Sequence, residues 1–406
     1  MGFIKRSALL ILFVAVVISA VSCGQKKARY VFLFIGDGMG ASHVALTEAY
    51  QAHQKGYVGM EPVCFSGFPV MGEATNYSAN RAITCSSAAG TALSTGFKTN
   101  NGMLCVAPDS TELTSISYKI HNAGYGVGIL STVQINHATP ACFYGHSVKR
   151  SDYYGIGSEL PQTGFEFFAG GGFIDPRGKG DTATVSLYQK AQEGGYTVAY
   201  GYDDFQGKKS ADRIVLVQHE DSDAICSYAL GRKEGALTLP QMMTAAVEVL
   251  ERNKKGFFVM AEGGLIDWTA HGKDAAGTIM EILDMDEAVK VAYAFYEKHP
   301  DETLIIVTAD HETGGFALGG GRGDYNLDYI DSVTVATTTD NVNEYMSDKT
   351  SLADINEKAN LGWTSFSHTG CPVPVWAIGA GSEKFAARQD NTDIPRKICD
   401  AMGIEF

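Results

Sequence analysis

The sequence predicts an α/β fold with a central, mainly parallel β-sheet and helices on both faces. Short apolar runs that end at glycine or polar turns recur at residues 30–35, 126–130, 256–261, 303–308 and 373–378. Amphipathic helical stretches lie between several of these runs, at residues 113–123, 241–253 and 275–298. Continuous apolar runs are typical of strands buried on both faces, and strands that alternate with helices indicate a parallel sheet.

Composition narrows the class of protein. The chain has 406 residues, is 45% hydrophobic and carries a formal net charge of −14. It is long enough for a large core, and its acidity argues against nucleic acid as a partner. An acidic enzyme that acts on anions needs a local source of positive charge, and bound metal ions are the obvious one.

The N-terminus has the pattern of an export signal. Lys5 and Arg6 precede an apolar run over residues 8–21, which is shorter than a comfortable membrane span. The run ends at a small residue before Cys23, as in a bacterial lipoprotein signal. We therefore predict a signal peptide over residues 1–22 and a lipid anchor on Cys23, with the protein facing the periplasm. Ordinary secretion and an uncleaved anchor are the alternatives.

The remainder is predicted to be one domain. Residues 23–406 contain no internal repeat and no low-complexity linker. Two glycine-rich or polar stretches, near residues 160–180 and 319–362, are expected to be irregular insertions. The second is expected to lie over or beside the functional site.

Residues 83–102 consist almost entirely of small side chains. A helix is predicted here, with Thr84, Ser86 and Ser87 at the positions where an N-cap is expected. The free N–H groups of its first turn and the helix dipole favour an anion such as phosphate. A serine hydroxyl placed there could attack that anion. The alternative is a small-residue helix that only packs against a sheet.

Acidic residues and a histidine follow three of the predicted strands. Asp37, Glu262 and the pair Asp310-His311 each come at or just after the end of an apolar run. Ligands of parallel sheets bind at the carboxyl ends of the strands, so these side chains are expected to lie together. Asp267 and His271 are four residues apart and would share a helical face, which suits zinc.

Other polar residues are weaker candidates individually. His137 and Thr139 are expected on one side of an extended segment, and His368 in a polar turn. Arg150 could bind a phosphate with two hydrogen bonds, or could be an ordinary surface arginine. Taken together, the aspartates and histidines suit two zinc ions and one harder, oxygen-rich metal site.

The order and spacing of these motifs resemble the alkaline phosphatase family. The similarity runs over nearly the whole mature chain, from the Phe-Ile-Gly-Asp-Gly-Met-Gly segment at 34–40 to His-Thr-Gly at 368–370. Its most specific parts are residues 84–102, 262–271 and 308–315.

The resemblance implies a reaction and a set of ligands. It makes Ser86 the nucleophile and Arg150 the phosphate-binding residue. It implies two zinc sites, one formed by Asp37, Asp310 and His311 and the other by Asp267, His271 and His368. It also implies one magnesium site, formed by Asp37, Thr139 and Glu262. The negative charges of the four carboxylate ligands offset four of the six positive charges of three divalent cations. The two positive charges that remain match a phosphate dianion.

Three residues depart from the best-studied bacterial pattern. Cys85 stands where that pattern has aspartate before the nucleophile, His137 where it has aspartate, and Trp268 where it has lysine. His137 matches the animal enzymes and could favour zinc or cobalt at the third site. Trp268 removes a positive charge beside the bound phosphate.

The sequence thus predicts a metal-dependent phosphate monoesterase with a phosphoserine intermediate. Its substrates would be small phosphate monoesters, and the resemblance implies a homodimer. A phosphodiesterase or sulfatase of the same superfamily, and a non-catalytic lipoprotein that binds phosphate or metal, are the alternatives.

Overall fold

The computed structural model describes residues 27–179, 185–219 and 225–406. The strands in these ranges are β1 (Tyr30–Gly36), β2 (Val70–Thr75), β3 (Gly126–Ser131), β4 (Phe167–Gly170), β5 (Thr197–Tyr200), β6 (Ile214–Val217), β7 (Phe257–Gly263), β8 (Thr303–Ala309), β9 (Glu312–Thr313), β10 (Phe316–Leu318), β11 (Leu361–Trp363), β12 (His368–Thr369), β13 (Val373–Gly379) and β14 (Ala387–Asp390).

The α-helices are α1 (Ala41–Gln54), α2 (Ser86–Thr95), α3 (Ile116–Asn122), α4 (Ala138–Ala141), α5 (Tyr153–Glu159), α6 (Leu187–Glu193), α7 (Gly201–Lys208), α8 (Leu239–Leu250), α9 (Leu265–His271), α10 (Ala275–Lys298), α11 (Asp328–Ala336), α12 (Val342–Ser347), α13 (Lys349–Lys358) and α14 (Asp393–Met402). Short 3₁₀ helices span Phe65–Gly67, Leu160–Gln162 and Ser382–Phe385.

Ten strands form the central sheet, in the order β14-β2-β13-β8-β1-β7-β3-β4-β6-β5. β13 runs antiparallel to both of its neighbours, β8 and β2. The other adjacent pairs are parallel. The α/β fold with a mainly parallel sheet flanked by helices is confirmed, although the sequence pattern did not reveal the reversal at β13.

The middle of the sheet is its most apolar part. β1 lies between β7 and β8, and every residue of β7 and β8 is buried. Such strands read as continuous apolar runs because helices cover both faces of the sheet. All five apolar runs identified in the sequence are strands of this sheet.

Both stretches expected to be irregular contain regular structure. β4 lies within residues 160–180 and pairs with β3 and β6 in the central sheet. It is only four residues long, too short for its apolar pattern to stand out among neighbouring glycines. Residues 319–362 contain α11, α12 and α13. Apolar residues of this segment form a second hydrophobic cluster with α1 and the start of α10.

The predicted signal peptide, residues 1–22, and Cys23 lie outside the described residues. Within the described ranges, no helix combines the length and apolarity needed to cross a bilayer.

The long helix α10 carries a buried glutamate. Glu281 of α10 is 3% exposed, and its Oε1 atom accepts the N–H of Ala229 at 2.7 Å. Burial, followed by the charge of Asp284, raises the pKa of Glu281 to about 8 from 4.5, against the opposing effects of the Ala229 N–H and Arg232. The folded chain therefore binds a proton that the unfolded chain releases, so Glu281 lowers stability as the pH rises from about 4.5 to about 8.

We expect Glu281→Gln to raise the melting temperature at pH 9 and to have little effect at pH 5. Glutamine still accepts the Ala229 N–H but never ionises, and the rise in pKa corresponds to at most about 5 kcal/mol. Thermal melts at both pH values, with the exposed Glu297→Gln on the same helix as the control, measure the difference. An equal change at pH 5 and pH 9 would contradict this assignment.

Candidate active site

The strand register brings the strand-end carboxylates to one place. Gly36, the last residue of β1, is level with Gly263 of β7 and Ala309 of β8. Asp37 and Asp310 each follow one of these positions directly, and Glu262 precedes Gly263. The three carboxylates therefore meet at the carboxyl end of the sheet, as the sequence predicted.

The first cluster surrounds the His311 imidazole. Its Nε2 atom lies 3.1 Å from Asp310 Oδ2, 3.4 Å from Asp37 Oδ1 and 3.3 Å from Ser86 Oγ. Asp310 Oδ1 accepts the N–H groups of Gly38 and His311, so that side chain is held in one orientation. The ligand-capable atoms of Asp37, Asp310 and His311 lie within 4.8 Å of one another.

The second cluster is centred on Asp267. Its Oδ2 atom lies 3.4 Å from His271 Nε2, and its Oδ1 atom 3.7 Å from His368 Nε2. The sequence correctly placed Asp267 and His271 on one helical face. His368 is in β12, paired with β9, and not in a turn as expected. Two residues cannot show the alternation by which a strand is recognised in a sequence.

Backbone carbonyl groups fix the orientation of two imidazoles in this cluster. His271 Nδ1 lies 2.7 Å from the Phe366 carbonyl, and His368 Nδ1 lies 2.9 Å from the Thr84 carbonyl. Because a carbonyl only accepts hydrogen bonds, Nδ1 carries the hydrogen in both rings. Each Nε2 atom then presents its lone pair towards Asp267, as a metal ligand requires.

Glu262 lies in a third polar group, with Asp37, Thr139 and Ser131. The Ser131 hydroxyl donates to Glu262 Oε2. Burial raises the pKa of Glu262 to about 7, while Ser131 and Thr139 oppose the rise. Thr139 is in α4, not in an extended segment as predicted, because Pro140 lies in a first helical turn, where its missing N–H loses no hydrogen bond.

His137 lies against Arg150. Arg150 Nη2 donates to His137 Nε2 at 3.3 Å, and the ring centroids of His137 and Trp268 are 6.1 Å apart. Burial and then the charge of Arg150 lower the pKa of His137 to about 3. The two metal-capable groups found among the described residues are Asp37, Asp310 and His311, and Asp267, His311 and His368. His137 belongs to neither, and His271, predicted as a ligand of the second zinc, is replaced there by His311.

Several buried oxygens in these clusters have no hydrogen-bond partner among the described residues. They are both oxygens of Asp37, Asp310 Oδ2, Glu262 Oε1 and Thr139 Oγ1. Burial, followed by the Asp310 charge, holds the pKa of Asp37 well above its usual range, and burial raises that of Asp310 to about 8. Unpaired buried carboxylates are costly, and divalent cations would compensate them. The residues present therefore fit metal ions.

The nucleophile candidate begins α2. The N-cap is Cys85, and no side chain caps the helix, in contrast to the expectation for Thr84, Ser86 and Ser87. Ser86 is the first helical residue, and its hydroxyl is turned towards His311. The small residues allow close packing. A Cβ atom on Gly90 would lie 2.9 Å from Cys142 Sγ.

A bracing loop connects the nucleophile to Arg150. Asn101 Oδ1 accepts the Cys85 N–H at 3.1 Å, and Asn101 Nδ2 donates to the Ile83 carbonyl at 3.0 Å. The Gly102 N–H donates to Cys85 Sγ at 3.2 Å, and its carbonyl accepts the Arg150 N–H at 2.8 Å. Ser86 and Arg150 are thus positioned through the same two residues.

Sequence reasoning missed three contributors to the site. Thr313 donates to Asp267 Oδ1 at 2.5 Å, and Ser131 donates to Glu262. Both lie within or next to segments that had been singled out, so their motifs offered a signal. Tyr228 lines the same cavity as Ser86 and Arg150 but belongs to no recognisable motif.

An open cavity of about 470 Å³ brings the nucleophile candidate, Arg150 and the second cluster together. It is lined by Ser86, His137, Arg150, Tyr228, Asp267, Trp268, His271 and His368. A serine hydroxyl, an arginine and metal-capable groups around one cavity can bind an anionic ester and attack it.

Comparison with known proteins agrees with this geometry. The sequence model of the family described as "Alkaline phosphatase" matches residues 28–166 and 179–404. The chain is 29% identical to alkaline phosphatase 3 of Bacillus subtilis strain 168, over 93% of this chain and 90% of that protein. It is 27% identical to the alkaline phosphatase of Escherichia coli K12, over 95% and 88% respectively.

Solved structures give the same picture. A cold-active alkaline phosphatase from a psychrophilic Shewanella species aligns with a TM-score of 0.80 and 26% identity, over 92% of this chain and 99% of that one. The alkaline phosphatase of the Antarctic bacterium TAB5 aligns with a TM-score of 0.76 and 27% identity, over 94% and 100%.

We expect chelation of divalent cations to lower the melting temperature by several degrees, and the loss to grow between pH 5 and pH 9. The folded, metal-free protein keeps protons on Asp310 and Glu262 that the unfolded chain releases, so rising pH favours unfolding. Thermal melts with and without EDTA measure this effect, and added zinc and magnesium should reverse it. In EDTA, the melting temperature of Asp37→Asn should depend less on pH than that of the unsubstituted protein. A loss of melting temperature on chelation that is equal at all pH values would contradict the metal assignment.

Proposed function

Because this chain belongs to the alkaline phosphatase family and is a phosphatase, we propose that it hydrolyses phosphate monoesters through a phosphoserine intermediate on Ser86. The observation that carries this proposal is the position of Ser86 Oγ. It lies at the start of α2, 3.3 Å from His311 Nε2, and lines the same cavity as Arg150.

In the first step, Ser86 Oγ gives up its proton to solvent and forms a bond to phosphorus as the bond to the ester oxygen breaks. The ester oxygen takes a proton from solvent and leaves as the alcohol. In the second step, water loses a proton and attacks phosphorus, the bond from phosphorus to Ser86 Oγ breaks, and Oγ is protonated again as inorganic phosphate is released. Phosphate monoester hydrolysis is among the slowest uncatalysed reactions, so both steps need strong charge stabilisation.

The chain's own groups supply part of that stabilisation. The Arg150 guanidinium can bind two phosphoryl oxygens, and the first-turn N–H groups of α2 would attract the same anion. Asn101 and Gly102 hold Ser86 and Arg150 in a fixed relation, which keeps the nucleophile aligned with the bound phosphoryl group.

Three metal sites complete the proposal. Zinc would be held by Asp37, Asp310 and His311 and by Asp267, His271 and His368, and magnesium by Asp37, Thr139 and Glu262. When bound, these ions lower the pKa of the Ser86 hydroxyl and stabilise charge on the entering and leaving oxygens. Among the described residues, both oxygens of Asp37, Thr139 Oγ1 and Glu262 Oε1 have no hydrogen-bond partner, which supports a hard cation at the third site. Because His137 is nearby, zinc or cobalt is the alternative there.

We expect Ser86→Ala to lose at least about 10³-fold in kcat on p-nitrophenyl phosphate while keeping its metal content, because only the attacking oxygen is removed. Ser87→Ala is the matched control, since the Ser87 hydroxyl contacts Cys85 Sγ and not His311. In the unsubstituted enzyme, mass spectrometry after acid quenching should find phosphate on Ser86 and on no other residue.

Unchanged turnover in Ser86→Ala would refute the nucleophile assignment. A preference for bis(p-nitrophenyl) phosphate over the monoester would leave the site intact but move the substrate class to diesters.

The same proposal extends to the whole protein. A signal peptide over residues 1–22 would precede a single catalytic domain over residues 23–406. This domain would be anchored by lipid on Cys23, would face the periplasm and would form a homodimer.

We expect the cellular protein to begin at an acylated Cys23 and to have twice the mass of one mature chain in solution. Mass spectrometry of the N-terminal fragment and light scattering measure these two properties. An unmodified Cys23 or a monomeric mass would refute the corresponding statement.

A further inference from the structure

Two cysteines that the phosphoryl chemistry does not use lie together beside helix α2. Cys105 is 1% exposed and Cys142 is fully buried. Cys105 Sγ lies 2.8 Å from the Cys142 carbonyl oxygen, although the two residues are 37 positions apart in the chain. Both also contact Thr91 of α2, whose hydroxyl oxygen accepts the Cys105 N–H at 2.9 Å and lies 3.7 Å from Cys142 Sγ. The fold thus brings two thiols from distant segments to one side chain.

The two thiol groups are hydrogen-bonded to each other. Burial acts against ionisation of Cys105, but hydrogen bonds from the Cys142 thiol and from Ser94 bring its pKa below the usual range. Burial, together with the same bond to Cys105, holds the pKa of Cys142 well above the usual range. Cys105 is therefore the thiol that ionises first, and a thiolate is the form that reacts in disulfide exchange.

The backbone of Cys105 has a conformation that a side chain disfavours. Its φ angle is 46°, in the left-handed region that glycine adopts at little cost and residues with a Cβ atom rarely adopt. Strain of this kind persists where the surrounding structure requires it. A thiol next to a second thiol is a contribution that glycine could not make.

Cys105 continues the bracing loop that positions Ser86 and Arg150. The N–H of Leu104 donates to the Ser147 carbonyl, and the N–H of Ser147 donates to the Leu104 carbonyl, both at 2.8 Å. Ser147 lies three residues before Arg150. The segment that carries Cys105 is therefore paired with the segment that carries the arginine.

Cys142 directly follows α4, the short helix that carries Thr139. Its N–H donates to the Thr139 carbonyl at 3.2 Å, and its Sγ atom lies 3.2 Å from the Ser87 carbonyl oxygen of α2. A covalent link between Cys105 and Cys142 would therefore join the bracing loop to α4 alongside the nucleophile helix.

We propose that Cys105 and Cys142 form a disulfide bond when the chain is oxidised, and that this bond ties the bracing loop to α4. In the structure both are free thiols. The export signal predicted at the N-terminus would deliver the chain to a compartment where disulfides form and persist. Such a bond would form whether or not the chain hydrolyses phosphate monoesters.

The oxidant is a small-molecule disulfide such as oxidised glutathione. The Cys105 thiolate attacks one of its sulfur atoms, the bond between the two glutathione sulfur atoms breaks, and one glutathione leaves as a thiolate. Cys142 then gives up its proton to solvent and attacks the Cys105 sulfur, which releases the second glutathione thiolate. The two cysteines lose two protons and two electrons, and one glutathione disulfide becomes two glutathione thiols. Because both cysteines are buried, the exchange takes place while the chain folds or when this region opens.

The test uses the full chain, loaded with zinc and magnesium and purified in a reducing buffer. It is then held with oxidised glutathione just below its melting temperature, where buried thiols open to exchange. Iodoacetamide in denaturant labels the remaining thiols, and peptide mapping without reductant locates the bridge. We expect the peptides that contain Cys105 and Cys142 to be linked to each other.

The bond should also raise the melting temperature by several degrees, because it closes a long loop in the unfolded chain. A phosphine reductant, which has no zinc-binding thiol, should remove this gain. Cys105→Gly, which suits the φ angle, and Cys142→Ala should each abolish both the link and the effect of the reductant. Cys399→Ala removes another buried cysteine and is the control, which should keep both.

Iodoacetamide label on both Cys105 and Cys142 after oxidation would overturn the assignment. A link from either cysteine to another residue, such as Cys85, would also overturn it. An equal effect of the reductant in Cys105→Gly and in the unsubstituted protein would refute the bracing role of the bond. Neither measurement uses turnover, so the result is separate from that for the phosphatase function.

Discussion

The structure depends on the placement of carboxylates where water does not reach them. Asp37, Glu262 and Asp310 are each fully buried at the carboxyl end of the sheet. In the described part of the chain, His311 Nε2 lies within 3.4 Å of Asp37 and Asp310. Burial and the neighbouring imidazoles hold the pKa of His311 well below its usual range, so it carries no positive charge that would compensate these carboxylates. A folded protein can keep such a group only if protons or cations neutralise it. The same feature that limits stability is therefore the one that concentrates positive charge for an anionic substrate.

The scaffold meets this constraint with rigid supports around the site. Parallel pairing of β1 with β7 and β8 fixes the level of the three carboxylates, and backbone carbonyls fix two of the imidazoles. Residues 319–362 support the second cluster from outside. Asn356 Nδ2 donates to the Lys273 carbonyl at 2.8 Å, and the Tyr345 hydroxyl donates to Asp274 at 2.7 Å, just beyond α9. This segment thus stabilises the turn that follows His271.

The groups around the cavity do not all have the same role. Ser86, Arg150 and the metal-capable side chains would contact the phosphoryl group, which all phosphate monoesters share. Trp268 also lines the cavity, at the position where the best-studied bacterial pattern has lysine, so an aromatic ring takes the place of a positive charge there.

The sequence alone determined the features that depend on local pattern. Continuous apolar runs predicted the strands, and the spacing of Asp267 and His271 predicted a shared helical face. The resemblance of the ordered motifs implied that Ser86 and Arg150 belong to one site. Tertiary structure decided what depends on distant partners. The reversal of β13 and the short strands β4 and β12 leave no distinct periodicity, because their stability comes from neighbouring strands. Tyr228 reaches the cavity only because Thr132 and Glu281 hold its segment, and no local pattern encodes contacts between residues so far apart.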